Sequence, residues 1–372
     1  MGGVTRPLAW GLIGGGAGSQ VGPLHRIAAA ASGAVRLTAG ALDADPAAGR
    51  AFALELGIAP ERAYGSWSEM LAAERDRSDR VDLVTVATPN ASHAEIATAF
   101  AEAGFAVLCE KPMAATLEEA RAMAGAVAAA QAPFAVNYGY CGYPMVRQMR
   151  AMVSDGSLGT VRLVIAEFAH GHHAGASADE NDRLRWRYDP AAAGASAVLA
   201  DAGSHALHMA CFVLDDRVEC LSADFAHCVS GRVLEDDAQI NLRFGRGAVG
   251  RLWTSAVALG RIHGLTLQIF GSAGGLSWHQ QDPDRLAFTP LGEPTRRLER
   301  GMPGLAPEAA SASRIAAGHP EGLPLAIANI YADLASRIRS PGRAAEAGGL
   351  LAGVADGLHL NAAVEAAVAS AA

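Results

Sequence analysis

Leu8-Ala9-Trp10-Gly11-Leu12-Ile13-Gly14-Gly15-Gly16-Ala17-Gly18-Ser19-Gln20-Val21-Gly22 is the stretch on which the fold turns. A short apolar run, Leu8 to Gly14, ends in glycines, which predicts a strand buried in a parallel sheet. A helix is expected from Gln20 to Ala31. Glycines between such a strand and such a helix let the backbone turn tightly and approach a pyrophosphate, which the helix N-terminus favours. Gly14 and Gly16 open the loop. Strict G-x-G-x-x-G spacing puts Ser19 at the third position, whereas a loop three residues longer puts Gly22 there. Asp43 closes the next strand, Val35 to Leu42. A carboxylate there can accept hydrogen bonds from an adenosine ribose and would repel the extra phosphate of NADP, so NAD is expected and NADP is disfavoured. A turn or helix-capping aspartate is the plainer reading of Asp43.

Outward from this loop the strand-and-helix rhythm continues. Helices are predicted over Pro46–Leu56, with proline in the first turn, and over Ser66–Ala73, where Ser66 and Glu69 have capping-box spacing. A strand at Val81–Ala87 precedes a helix at Ser92–Ala103. A strand at Phe105–Cys109 precedes a helix from Thr116, whose Glu118 and Glu119 suit its N-terminal dipole. Phe134–Val136 reads as one more strand. The alternation predicts a doubly wound parallel sheet with right-handed crossovers, a Rossmann domain over residues 1–136. Thr88, Pro89, Asn90 and His93 then fall at the carboxyl end of the sheet, where ligands bind in open α/β folds. Trp67 belongs near the adenine or in the core.

After about residue 137 strands follow one another with few helices between them: Val161–Phe168, Val218–Ala226, Ala238–Phe244, Ala248–Ser255, Leu265–Phe270 and Gly274–Trp278. This predicts an α+β domain over residues 137–372 with a large open, mostly antiparallel sheet. Helices at Met145–Val153, Ser204–Leu214 and Leu325–Ile338 flank it. Pro283 to Pro324, rich in Pro, Gly and Arg, reads as a long surface loop.

Bulk composition narrows the function. A chain of 372 residues that is 51% hydrophobic and 18% charged buries a sizeable core. A net charge of -8, with few Lys, many Arg and no block of like charge, excludes the basic footprint of a nucleic-acid binder. No apolar run is long enough to span a bilayer, and the N-terminus enters a strand without a charged-then-apolar leader, so no membrane contact and a cytoplasmic location are expected. Five cysteines without a Cys-x-x-Cys pair read as scattered thiols.

Glu110-Lys111-Pro112 follows a predicted strand. Trp186-Arg187-Tyr188-Asp189-Pro190 and Asp201-Ala202-Gly203-Ser204-His205 come later. An ammonium, a carboxylate and an imidazole suffice to take a proton from a hydroxyl while a hydride leaves the same carbon. Asp201 and His205, four apart, share a face if both are helical; alternatively Asp201 caps the helix that His205 enters. Arg187 reads equally as a ligand contact or a local ion pair. Tyr138, Tyr140 and Tyr143 suit either a sugar pocket or an aromatic core. His170, His172 and His173 cluster, but no carboxylate or cysteine stands at ligand spacing, so no metal is expected.

Taken together, Gly14-x-Gly16, Thr88-Pro89-Asn90-x-x-His93, Glu110-Lys111-Pro112, Trp186-Arg187-x-Asp189-Pro190 and Asp201-x-Gly203-x-His205 resemble the Gfo/Idh/MocA oxidoreductases, the glucose–fructose oxidoreductase and inositol dehydrogenase family. They run in family order over almost the whole chain. The resemblance implies a Rossmann domain with bound NAD(H) or NADP(H), a second domain built on an open sheet, sugar or cyclitol substrates, and a homodimer or homotetramer. It also implies that Lys111, Asp201 and His205 line the catalytic site, with Glu110 in the cofactor motif. Departures fall on the substrate side. Gly194-Ala195-Ser196 stands where a glycine triplet is common, His208 where an aspartate is common, and Tyr140 where many members carry arginine. His319, in Gly318-His319-Pro320-Glu321-Gly322, resembles a loop of a sugar- and cyclitol-oxidising subset. Tyr140, Arg187, His208 and His319 are therefore candidate substrate contacts. An enzyme that cleaves glycosides with transient use of NAD, and a non-catalytic NAD-binding regulator, are the alternatives.

Overall fold

The computed structural model describes residues 6–175, 185–340 and 349–371. The chain forms two compact units. One comprises Met1–Ala114, Glu118–Gly139 and Leu323–Leu358; the other comprises Ala115–Leu117, Tyr140–Gly322 and His359–Ala372.

The first unit is built on a five-stranded parallel sheet: β1 (Leu8–Gly14), β2 (Val35–Ala41), β3 (Leu83–Ala87), β4 (Ala106–Cys109) and β5 (Phe134–Val136). Their order is β2-β1-β3-β4-β5. β3 and β4 are buried along their whole length, as expected of parallel strands covered on both faces. The direction of winding reverses between β1 and β3, so the carboxyl ends of these two strands form the crevice in which such sheets bind ligands. The helices are α1 (Val21–Ser32), α2 (Pro46–Glu55), α3 (Trp67–Arg75), α4 (His93–Glu102) and α5 (Leu117–Ala130). Ser66 caps α3 by accepting from Glu69 N–H at 3.1 Å, while the Glu69 carboxylate reaches one residue further back, to Gly65 N–H.

The second unit carries an eight-stranded sheet. In chain order its strands are β6 (Val161–Ala169), β7 (Val218–Ala226), β8 (Asp237–Phe244), β9 (Val249–Ser255), β10 (Thr266–Gly271), β11 (Gly274–His279), β12 (Arg285–Pro290) and β13 (Arg296–Glu299). Across the sheet they run β13-β12-β11-β10-β6-β9-β8-β7. Only the β6–β9 pair is parallel. β8 shows why the sheet is one-sided: Ala238, Ile240, Leu242 and Phe244 are buried while Gln239, Asn241 and Arg243 face outward. Helices α6 (Pro144–Ser154) and α7 (Ser204–Leu214) lie on the buried side of this unit's core. Among the described residues no helix is long and apolar enough to cross a membrane.

The expected loop over Pro283–Pro324 is corrected by the structure. It contains β12, β13 and the short helix α8 (Pro307–Ala312). In β12 the inward positions are Leu286, fully buried, and Phe288, but flanking arginines obscure the alternation. Those arginines belong at a sheet edge, where charge discourages pairing with another chain.

Candidate functional site

The glycine loop satisfies the geometry a dinucleotide phosphate requires. Gly14 and Gly15 hold φ of 75° and 70°, in the left-handed region that disfavours side chains. A Cβ on Gly16 would stand 2.5 Å from Leu42 O and 3.0 Å from the Asp43 carboxylate. The choice between Ser19 and Gly22 resolves into two roles. Gly22 lets α1 pass against the loop, since its Cβ would lie 2.1 Å from Gly15 O, while Ser19 Oγ accepts from Gly22 N–H at 3.0 Å. Asp43 is exposed and its carboxylate lies beside the loop. The helix cap next to it is Asp45, which accepts from Ala47 and Ala48 N–H, so Asp43 is not the cap; the turn reading does hold, since Asp43 Oδ1 accepts from Asp45 N–H at 3.0 Å and Oδ2 is left toward the loop. Trp67 begins α3 half-buried. This cradle, filled if any of the close glycines gained a side chain, fits the diphosphate of NAD, and Asp43 fits its ribose.

At the ends of β3 and β4 the predicted residues meet. His93 is buried, and its two ring nitrogens lie 2.8 Å from the carbonyls of Thr88 and Pro112. It thereby ties the segment Thr88-Pro89-Asn90 to the segment Glu110-Lys111-Pro112. Burial pushes the His93 pKa down, and the two carbonyls oppose that shift. The Lys111–Pro112 bond is cis. Glu110 is anchored on the other side: Oε1 accepts from His25 Nε2 at 2.8 Å and Asn137 Nδ2 at 2.5 Å, and Oε2 accepts from the Lys111 backbone N–H at 3.1 Å. Burial alone would raise the Glu110 pKa. The bonds and charge from His25, the Asn137 bond and the Lys111 charge outweigh it and hold the carboxyl at about 2. Lys111 thus lies between two fixed neighbours. Of the chain's 30 basic side chains it is the single lysine, the rest being arginine.

The second unit gathers the later motifs. Asp201 lies in a π-helical turn, Leu199–Gly203, that runs into α7, which starts one residue before His205. The capping alternative for Asp201 therefore does not hold. Gly203 does not break the helix; it allows close packing, since a Cβ there would be 2.7 Å from Leu199 Cδ1 and 2.9 Å from Thr254 Cγ2. Arg187 donates from Nε to Asp201 Oδ2 at 3.3 Å and stacks on Trp186. Asp189, the nearer carboxylate in sequence, instead accepts from Ala191 N–H. The Tyr140 ring meets His205 edge-on at 4.9 Å and Phe168 at 5.9 Å. Burial, and after it Tyr143 and Asp201, push the Tyr140 hydroxyl up, so it stays a phenol. Tyr143 packs on Trp278.

Around them stands a group of imidazoles. His170 is within 5.0 to 6.0 Å, ring to ring, of His172, His173 and His263. Burial first, then its neighbours' charge, lowers His170 to about 4; His173 is lowered to about 4 in the same way. His170 and His173 are therefore neutral near pH 7. Among the described residues no group of His, Cys, Asp and Glu is arranged to hold a metal. His208 is buried against Phe212, and its pKa falls to about 3 through burial and then Arg150. His319 is exposed on a loop fixed through its backbone: Arg300 donates to its carbonyl, and Glu321 pairs with Arg300 and accepts from Arg314 and Ile315 N–H.

Several residues here escaped the sequence reading. Glu235, buried, accepts from Ser196 Oγ and from Ala197 and Leu199 N–H, fastening the start of the turn that carries Asp201. Arg232 pairs with Asp236, lies over Tyr188 and donates to the His173 carbonyl. Nothing local marks either residue. Lys111, by contrast, is conspicuous in the sequence for a second reason: where arginine serves every other cationic position, a lone ammonium stands out.

Comparison with known proteins identifies the family. Residues 8–138 match the family described as "Oxidoreductase family, NAD-binding Rossmann fold", and residues 146–277 match the "GFO/IDH/MocA C-terminal domain". The chain is 38% identical over 347 residues to the uncharacterized oxidoreductase YfiI of Bacillus subtilis, covering 91% of this chain and 88% of that one. It is 30% identical over 305 residues to the levoglucosan dehydrogenase of Pseudarthrobacter phenanthrenivorans, covering 74% of each. A crystal structure of an inositol dehydrogenase homolog complexed with NAD+ from Azotobacter vinelandii superposes with a TM-score of 0.94 at 40% identity, covering 99% of this chain and 96% of that one. The first unit is an NAD-binding Rossmann domain.

Proposed function

The chain belongs to the Gfo/Idh/MocA oxidoreductase family, and from that premise we propose that it is an NAD-preferring dehydrogenase of a cyclitol or sugar, acting at a secondary hydroxyl. NAD-binding oxidoreduction of sugar- or cyclitol-type substrates follows from the family. The observation that carries the finer reading is the lone lysine of an arginine-rich chain, held between the Glu110 and His93 anchors. Arginine stays protonated; an ammonium can yield its proton when its surroundings require it. NAD supplies the hydride acceptor. Gly14, Gly15, Gly16 and the start of α1 hold its phosphates, and Asp43 holds its ribose and selects against a 2′-phosphate.

Lys111 donates to the substrate oxygen and stabilises charge developing there. His205 accepts the hydroxyl proton, as an imidazole suits a base working near neutrality. Asp201, with Arg187 on its Oδ2, orients the acceptor or a neighbouring hydroxyl. His170, His173 and the Tyr140 phenol offer the uncharged donors and acceptors that a polyol matches. The assembly we propose, on the family resemblance alone, is a homodimer or homotetramer.

The test is a panel of inositols, hexoses, anhydrosugars and glycosides, followed by NADH absorbance with NAD and with NADP. Net NADH from a free cyclitol or sugar supports the reading. Glycoside cleavage without net NADH would replace it with a hydrolytic one. Lys111→Ala should abolish turnover while NADH affinity stays within several-fold; a fully active variant would remove Lys111 from the chemistry.

A further inference from the structure

We propose that His25 and Tyr331 are positioning residues for the Lys111 ammonium, acting through Glu110; this rests on the reading that Lys111 serves hydride transfer. A buried chain of hydrogen bonds runs through the first unit. Trp10 Nε1 donates to Thr85 Oγ1 at 2.9 Å, Thr85 and Tyr331 hydroxyls are 3.0 Å apart, Tyr331 and His25 Nδ1 are 2.9 Å apart, and His25 Nε2 meets Glu110 Oε1 at 2.8 Å. Trp10, His25, Thr85 and Tyr331 are all essentially inaccessible to solvent. The rings also pack, with Tyr331 edge-on to Trp10 and to His25.

Glu110 is ionised and only accepts, so His25 Nε2 carries a proton and donates. The other ring nitrogen, Nδ1, shares a bond with the Tyr331 hydroxyl, which in turn shares one with the Thr85 hydroxyl, and Thr85 accepts from Trp10 N–H. Each of these buried polar groups thus has a partner. Because the chain ends at an indole N–H, which neither supplies nor takes a proton, it does not carry protons to solvent. What it does is hold one carboxylate oxygen of Glu110 so that the other faces the Lys111 backbone N–H.

His25 lies one turn beyond Gly22 on α1, the helix whose start forms the nucleotide cradle. Tyr331 comes from the distant helix Leu323–Arg339. The network therefore links the phosphate helix to the segment carrying the reactive ammonium. Removing a buried partner of an ionised group leaves that group misoriented and under-bonded.

The single lysine makes this testable apart from any substrate. Protein grown with lysine carbon-13-labelled at Cε gives one side-chain resonance. In the wild type we expect one narrow signal that moves when NADH is added. In His25→Ala it should shift and broaden, with kcat on the substrate found by the panel lowered about 10- to 100-fold and the NADH Kd changed by less than about threefold. His25→Gln, which keeps an N–H toward Glu110, should recover most of the signal and the rate, and Tyr331→Phe should fall between. A wild-type signal and kcat in both His25→Ala and Tyr331→Phe would overturn the proposal. So would a His25→Gln variant as impaired as His25→Ala, because packing and not the donated bond would then be responsible. An active Lys111→Ala enzyme would defeat the functional reading instead, and the resonances of the His25 and Tyr331 variants would still decide whether they position the ammonium.

Discussion

Gly22→Ala tests the nucleotide cradle most directly. An added Cβ would stand 2.1 Å from Gly15 O, 2.6 Å from Gly15 C and 2.7 Å from Gly15 Cα, all backbone atoms. No flexible side-chain end can move aside, so either α1 or the loop must shift by about 1 Å to restore an ordinary contact. Overpacking of this kind costs about 1–3 kcal/mol. In a unit of this size each 1 kcal/mol lowers the melting temperature by about 2–4 °C. The displacement falls on the loop proposed to hold the diphosphate, so NADH binding should weaken by about 10-fold or more, about 1.4 kcal/mol of lost fit being tenfold in affinity. Gly18→Ala is the internal control: nothing lies within 4 Å of the added Cβ and its φ is not in the left-handed range, so both quantities should stay at wild-type values. Calorimetric titration with NADH and differential scanning fluorimetry on the two variants measure both effects. A Gly22→Ala protein that melts and binds NADH like Gly18→Ala would refute the assignment of Gly22 as the close-packing glycine.

Other expectations follow from the same geometry. Asp43→Ala should reduce the preference for NAD over NADP in kcat/KM, and an unchanged ratio would mean that another group reads the ribose. His208, lowered to about 3 in the folded chain from an ordinary 6.5, stays neutral where the unfolded chain takes up a proton. Its contribution is therefore complete above about pH 6.5 and is lost as pH falls toward 3. In urea titrations His208→Leu should show a shallower loss of stability between pH 6.5 and 5, and an identical slope would show that this ring is charged when folded. Glu235→Gln should destabilise the second unit by about 1–3 kcal/mol, because an amide cannot accept all the N–H and O–H donors that converge there. It should also lower kcat by loosening the turn beneath Asp201; undiminished stability would show that the turn holds without that carboxylate.

Much of the architecture was legible because it is written at short range. An apolar run, glycines and a helix in succession leave the backbone few options, and the alternation in β8 states which face is buried. Pro283–Pro324 failed for an equally local reason: charged edge positions interrupt the alternation of β12 and β13, so a polar loop and an exposed edge look alike. The choice between Ser19 and Gly22 needed a distance, since spacing alone allows both. Arg187 was ambiguous for the same kind of reason. Its nearest carboxylate in sequence is Asp189, but the tertiary fold brings Asp201 to it from a separate turn.

By itself, then, the amino-acid order determined the parallel and antiparallel sheets, the glycine loop, the exposed acidic side chain beside it, the family motifs and the solitary lysine. Only tertiary structure decided which buried groups hold those motifs in place. His25 and Glu110 are 85 residues apart, and His25 and Tyr331 are 306 apart. Hydrophobic pattern and turn chemistry act over a few residues. A hydrogen bond between residues this far apart is selected by what the folded chain brings together and leaves out of water, where an unmade bond costs more than it does at the surface.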